Sequence, residues 1–236
     1  LNPNPSTTDV IFTFIAKDRN KADDLVDSTA SASFTSLGEP TRTGACSFLS
    51  QSGSQQKTYQ CTVTMSHYDK AGLWTVSVSV QDSSGTQASL SSTLTLNLLR
   101  DISINPTTLN FPTVVQGDID ILSSANTQIT NNGNFVVPTN GNLEIVASNL
   151  VGETNNLENI PASNIKASGL SGAANVCSTG STLSHGLAVP ITNANLQRGT
   201  SGSNIEDITY CLTLVPTSIS TQFYSATGGN AWTIRI

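Results

Sequence analysis

Residues 61–85 read CTVTMSHYDKAGLWTVSVSVQDSSG, and this stretch decides the fold. Cys61, Val63 and Met65 alternate with Thr62, Thr64 and Ser66, and Trp74, Val76, Val78 and Val80 alternate with Thr75, Ser77 and Ser79. A period of two residues means antiparallel strands with one face in a core and the other in water. Residues 67–72 form a turn-rich connection between the runs, and Asp82-Ser83-Ser84-Gly85 closes the second. A Cys on one strand and a Trp on its neighbour anchor a small sandwich core.

The same pattern extends outward from this stretch. Residues 10–16 (VIFTFIA) are a strand of aromatic and branched residues. Ala30, Ala32 and Phe34 share a face, with Ser and Thr between them. Gly38-Glu39-Pro40 turns the chain into a strand around Cys46 and Phe48, and Gly53 marks the next hairpin. Ala88, Leu90, Leu94, Leu96 and Leu98 make a long last strand. About seven short strands within residues 1–99, with no helical period, predict an Ig-like antiparallel β-sandwich.

A second such domain is expected over residues 100–236. Ile102 and Ile104 open it, followed by Leu109, Phe111, Val114, Val115, Ile119 and Ile121. Asn131-Asn132-Gly133-Asn134 reads as a hairpin, because Asn-Gly accepts the positive φ of a type I′ turn. The stretch 149–184 is more weakly patterned and is expected to carry a short helical turn near residues 160–165. Ile208, Tyr210, Leu212 and Leu214 share one face of a later strand, which sends Cys211 to the other, and residues 232–236 complete the sheet. The fold class is thus all-β, two tandem Ig-like sandwiches.

Charged residues are 11% of the 236, against roughly 25% in typical soluble proteins, and Ser, Thr, Asn and Gly fill the gap. This composition suits strand faces covered in hydroxyls and turns built from Asn and Gly. A net charge of −6 and a pI near 4.7 argue against nucleic acid and anionic membranes, which select clustered Lys and Arg. There is no apolar run of the length needed to span a bilayer. The start at Leu1 without Met reads as a secreted, mature product after signal-peptide removal. Asn4 and Asn105 are each followed by Pro, so no N-glycosylation sequon remains, while the Ser and Thr leave O-linked sugars open.

Four cysteines, at 46, 61, 177 and 211, divide two to each half. An even count in β-patterned sequence indicates disulfides and an oxidising compartment. Three pairings are possible. The local one, Cys46–Cys61 with Cys177–Cys211, puts one bridge in each domain, each contributing about 3–4 kcal/mol by loop closure. No C-x2-C spacing supports zinc.

Two blocks resemble known modules. Residues 71–76 (AGLWTV) with 80–85 (VQDSSG) resemble the signature of polycystic-kidney-disease-like and related Ig-like domains of secreted surface proteins. Leu109-Asn110-Phe111-Pro112 with Gly117, then residues 129–134, resembles the opening of Ig-like repeats in exoproteins, with Pro112 where that pattern has Gly. Together the chain resembles cell-surface proteins of small-celled archaea. The resemblance implies β-sandwich modules displayed outside the cell in filaments, surface layers or adhesins. It implies no catalytic residue and no cofactor.

No catalytic set emerges from the residues themselves. His67 and His185 both lie in predicted turns, and no G-x-S-x-G elbow occurs. Asp18, Asp23, Asp24 and Asp27 offer oxygens for calcium, but Lys17, Arg19 and Lys21 interrupt them, so no metal site is assigned. Asp118 and Asp120 read as one solvent-facing strand face. Trp74 and Trp232 read as core, which leaves Tyr68 and Tyr224 as the loop aromatics for a sugar. The chain ends are the candidate segments for joining subunits, the alternative being that both merely finish their own sheets: the proline-punctuated arm with Leu1, Asn2, Pro3 and Thr8, and the last strand with Trp232, Ile234 and Ile236. An extended segment donated to an open sheet edge joins copies head to tail. The expected role is therefore a non-enzymatic subunit of an extracellular filament or surface assembly, with copies of itself as partners. The alternative is an adhesin or carbohydrate-binding module.

Overall fold

The computed structural model describes residues 1–139, 141, 143–200, 202, 204–226 and 231–236. The chain divides into two compact units, Leu1–Asp101 with Asn132–Phe135, and Ile102–Asn131 with Val136–Ile236. The single cut at residue 99/100 read from the sequence thus becomes a discontinuous division.

The first unit holds six antiparallel strands: β1 (Thr7–Lys17), β2 (Leu25–Thr35), β3 (Arg42–Ser52), β4 (Gln56–Ser66), β5 (Gly72–Asp82) and β6 (Gln87–Leu96). They follow the ladder order β1-β4-β3-β2-β5-β6. The path folds over at β3. Its residues 42–45 pair with β2, and from Cys46 onward it pairs with β4. A strand that changes partners in this way turns one ladder into two facing layers. Phe12 on β1 accordingly meets Phe34 on β2 at 5.7 Å between ring centroids, although two strands separate them along the ladder. Ala32, Phe34, Cys61, Val63, Met65, Trp74, Val78 and Leu96 form the shared core.

Gly44 sits just before the exchange. A Cβ there would lie 2.0 Å from Thr62 O and 2.7 Å from Val63 Cγ2, so only glycine permits this approach of β3 to β4. Cys46 and Cys61 are directly opposite each other in the β3–β4 pair and are bonded. Six strands stand where about seven were expected.

Among the described residues, the buried carboxylate, ammonium and phenol groups of this unit are paired, whereas the buried Nε2 of His67 has no hydrogen-bond partner. Asp69, with its side chain fully buried, accepts from Arg42 Nε at 3.1 Å and from an Arg42 terminal nitrogen at 2.5 Å. It also accepts the Ser66 amide at 2.8 Å, closing the turn that leads to Trp74. The Trp74 indole donates to Lys70 O at 2.9 Å. Lys57, 7% exposed, donates to Leu25 O and to Asp27 Oδ1, and Tyr59 donates to the same Asp27 oxygen. Partial burial raises the Asp27 pKa, but the bonds from Lys57 and Tyr59 and the Lys57 charge outweigh it and hold it below the ordinary value.

Asn131-Asn132-Gly133-Asn134 is not a hairpin. Asn132 N and Asn134 N donate to Asp101 O and Leu99 O within the first unit. A Cβ on Gly133 would lie 2.2 Å from Leu99 O, so this glycine serves close backbone approach and not a positive φ. Asn134, 3% exposed, accepts the Leu99 amide through Oδ1 and donates through Nδ2 to Asp69 O and Asn97 O.

The second unit contains β7 (Ile102–Asn105), β8 (Ile121–Leu122), β9 (Thr127–Asn131), β10 (Glu144–Val146), β11 (Leu150–Gly152), β12 (Asn159–Ile160), β13 (Ile165–Ser168), α1 (Ala173–Thr179), β14 (Ser181–Thr182), β15 (Ala188–Pro190), β16 (Ile205–Leu212), β17 (Tyr224–Ser225) and β18 (Thr233–Arg235). Its largest sheet runs β14-β13-β16-β9-β7, with β8 also on β16; β15-β10-β18 and β12-β11-β17 are smaller. The alternation at Ile208, Tyr210 and Leu212 is buried as expected, whereas Leu214 is exposed. Cys211 is buried too, because α1 brings Val176 and Cys177 against its side of β16 and the bridge Cys177–Cys211 closes there. The short helical turn expected near residues 160–165 forms as the 3-10 turn Ala162–Asn164, and α1 is a further helix later in the same stretch.

Residues 106–120 carry no strand, although their apolar pattern suggested one. Asp118 accepts the Val115 amide and Asp120 takes φ 56°, so turn chemistry prevails, and Val115 and Ile119 are exposed.

The Arg42–Asp69 pair gives the first unit a definite weak point. Asp69→Ala strands a largely buried guanidinium and frees the Ser66 amide, and should lower the unfolding free energy by about 3–5 kcal/mol in denaturant titration. Asp9, whose one bond from Thr64 Oγ1 is exposed, should change it by less than about 0.5 kcal/mol when replaced by Ala.

Candidate assembly interface

The two ends of the first unit's ladder are β1 and β6. β1 pairs with β4 in one unbroken register from Thr7↔Ser66 to Lys17↔Gln56, and β6 pairs with β5 from Gly72↔Leu96 to Gln81↔Gln87. Neither register contains a bulge. On the far side of each strand, alternate backbone N–H and C=O groups have no ladder partner.

Edge strands are normally protected by charge, proline, a bulge or a cover. Between Asp9 and Lys17, β1 has none of the first three, and β6 has neither charge nor proline along its whole length. Cover is also incomplete. Ala88 and Leu90 stand directly opposite Val80 and Val78, so they face the core side, yet Leu90 is 69% exposed while Val78 and Val80 are buried. On β1, Val10, Phe12 and Phe14 face the core but are only half-buried, and Ile11 and Ile15 on the outer face are about 60% exposed. Both edges therefore offer apolar surface beside free backbone groups. That combination recognises another extended strand.

The segments expected to reach other subunits are placed differently. Leu1 packs against the core of its own unit, Asn2 N donates to Thr8 Oγ1, Pro3 O accepts Ser6 N, and Asn4 N donates to Asn132 O. The arm is turned back, not extended outward. Thr8 already belongs to β1, opposite Met65. In the second unit, Trp232, Ile234 and Ile236 lie in or beside β18, which pairs with β10 through Ile145↔Ile234. All three are half-buried, and the Trp232 indole donates to Ser148 O. Sequence reading missed the β1 and β6 edges. The available signal was the run VIFTFIA, apolar at consecutive positions and hence on both faces.

The remaining candidates are occupied by structure. His67 is buried, not a surface residue: its ring stands edge-on to Tyr68 at 5.0 Å. His185 is exposed and its Nδ1 accepts the Asn149 amide. Asp18 holds the Asn20 amide, and Asp27 holds Lys57 and Tyr59. Asp120, Cys177 and Cys211 cluster closely enough for a metal among the described residues, but those sulfurs are joined to each other. Tyr68 lies beneath the Arg42 guanidinium at 5.8 Å.

Tyr224 belongs to a clasp in the second unit. Glu158 Oε2 accepts from Ser220 N, Ser220 Oγ, Gln222 Nε2 and Tyr224 OH at 2.6–2.9 Å. Gln222 Oε1 in turn accepts the Thr154 and Asn155 amides. The bonds from the Ser220 backbone and hydroxyl, then from Tyr224, lower the Glu158 pKa from 4.5 to about 2. A lowered acid pKa contributes stability that is whole above the ordinary value and is lost as pH falls through the folded one. The difference in melting temperature between the native chain and Glu158→Gln should therefore be constant above pH 4.5 and shrink towards zero near pH 2. A difference that does not vary with pH would remove this role for Glu158.

Among the described residues, no helix is long and apolar enough to cross a membrane. Comparison with protein-family models, curated proteins and solved structures finds no match for this chain.

Proposed function

We propose that this chain is a structural, non-enzymatic subunit of an extracellular filament or cell-surface assembly, built from two Ig-like sandwich modules and joined to copies of itself along strand edges. The observation that carries this reading is the pair of long, unbulged edges β1 and β6, uncharged between Asp9 and Lys17 on β1 and along all of β6, each with uncovered apolar side chains. β1 of one copy paired with β6 of the next continues the ladder. The two surfaces differ, so the contact is heterologous and repeats head to tail, which makes a fibre wherever the rotation between copies does not close into a ring. Two disulfides suit an oxidising exterior. The adhesin or carbohydrate reading gains nothing from Tyr68 and Tyr224, both held by neighbouring side chains.

Capping variants test the contact. Ile11→Lys spoils β1 and spares β6, and Leu90→Lys does the reverse; both sites are exposed, so folding should survive. Each variant alone should remain monomeric in size-exclusion chromatography with light scattering. An equimolar mixture should give one-to-one dimers, through the intact β6 of one and the intact β1 of the other. Polymer formation by either variant alone would defeat the β1–β6 contact.

A further inference from the structure

The outer face of β2, β3, β5 and β6 is a second surface without an assigned role. Register places Thr43, Ser33, Ser77 and Ser91 in one row across the four strands. The next row contains Ser31, Ser79 and Ser89. Over the paired stretches every outward residue is Ser, Thr, Ala, Gln, Leu or Val, with no charge at all. Ser31 and Ser79 hydroxyls lie 3.0 Å apart, as do those of Ser77 and Ser91.

Three physical consequences follow for a chain of net charge −6. Two copies repel wherever carboxylates meet within a Debye length of about 8 Å, and this face presents none. Apart from Gln81, Gln87 and Leu73 its side chains are short, so immobilising the Ser and Thr rows loses little of the roughly 1.5–2 kcal/mol of rotamer entropy that a Lys or Glu loses. The hydroxyls already bonded to one another keep a partner when water leaves, which lowers the cost of burying them. The face therefore fits another neutral, hydroxyl-bearing surface, and a second copy supplies one.

We propose that this hydroxyl face is a lateral contact between two copies of the chain, laid face to face, that bundles neighbouring filaments. Strand spacing and rise give the face an area on the order of 500 Å² per copy. A pair thus buries about 1,000 Å², below the roughly 1,200–2,000 Å² of a stable complex. The contact is weak singly and strong when repeated along a polymer. To that extent its strength rests on the filament reading, while the pairwise contact does not.

Ser77→Glu and Ser77→Lys test it together, with Thr43→Lys as a second position and circular dichroism to establish folding. Wild-type chain should form bundles visible by negative stain and pelleting at low speed. All three variants should form single filaments, with at least a tenfold smaller pelleted fraction. Glu and Lys must act alike, because burial of either charge is the obstacle; loss with Glu but gain with Lys would mean that net charge alone governs association. Wild-type filaments that never bundle would overturn the lateral contact and leave the strand-edge reading standing. If the chain makes no filament, sedimentation equilibrium decides: association must weaken at least tenfold in the variants, and a strictly monomeric wild type overturns the proposal. Intact-mass detection of sugars on these serines in protein from its native source would also overturn it, since bulky substituents separate the faces.

Discussion

The first unit depends on one strand changing partners. β3 leaves β2 after Ala45 and joins β4 at Cys46, and that step converts a linear ladder into two layers with a common core. Two features make the step possible. Gly44 has no side chain to strike Thr62 and Val63, and the Cys46–Cys61 bridge ties the new pairing at its first residue pair. Once the layers face each other, Trp74, Phe34 and Met65 are sealed between them, and Asp69 closes the turn that delivers Trp74. The Arg42–Asp69 pair then anchors the start of β3 to that turn.

The same step explains the open edges. Folding at β3 closes one side of the pair of layers and leaves β1 and β6 as the ends of the path. The layers do not cover each other fully, so Leu90 stays in solvent on the core side of β6 and Phe12 and Phe14 are only half sealed on β1. A monomer gains nothing from such edges, which invite pairing with other chains. A polymer uses them. The low charge of the chain acts in the same direction, since it leaves β6, β1 beyond Asp9 and one sheet face free of carboxylates.

Much of this was legible in sequence wherever a local rule governs. Ala30, Ala32 and Phe34 face the core as their alternation requires, and so do Cys61, Val63, Met65, Trp74 and Val78. The rule failed where a residue's role was set by something distant in the chain. Gly133 looked like a turn glycine but serves the approach of Leu99 O, 34 residues away by number. Residues 109–121 alternate like a strand, yet Asp118 and Asp120 supply turn geometry that no neighbouring strand opposes. His67 sits in a turn, as read, but the turn itself is buried.

Period-two patterning, hydroxyl-rich composition and four evenly divided cysteines determined by themselves that the chain is all-β and disulfide-bonded, because side-chain direction along a strand is a local property of the backbone. Which strands pair, where β3 changes layer, and which strands are left at the edges were decided only in the tertiary structure. Those outcomes depend on contacts between residues far apart in the chain, and an edge strand differs from a central one only in what lies beside it. The candidate interface is such a property: the residues of β1 read the same whether or not a neighbour covers them.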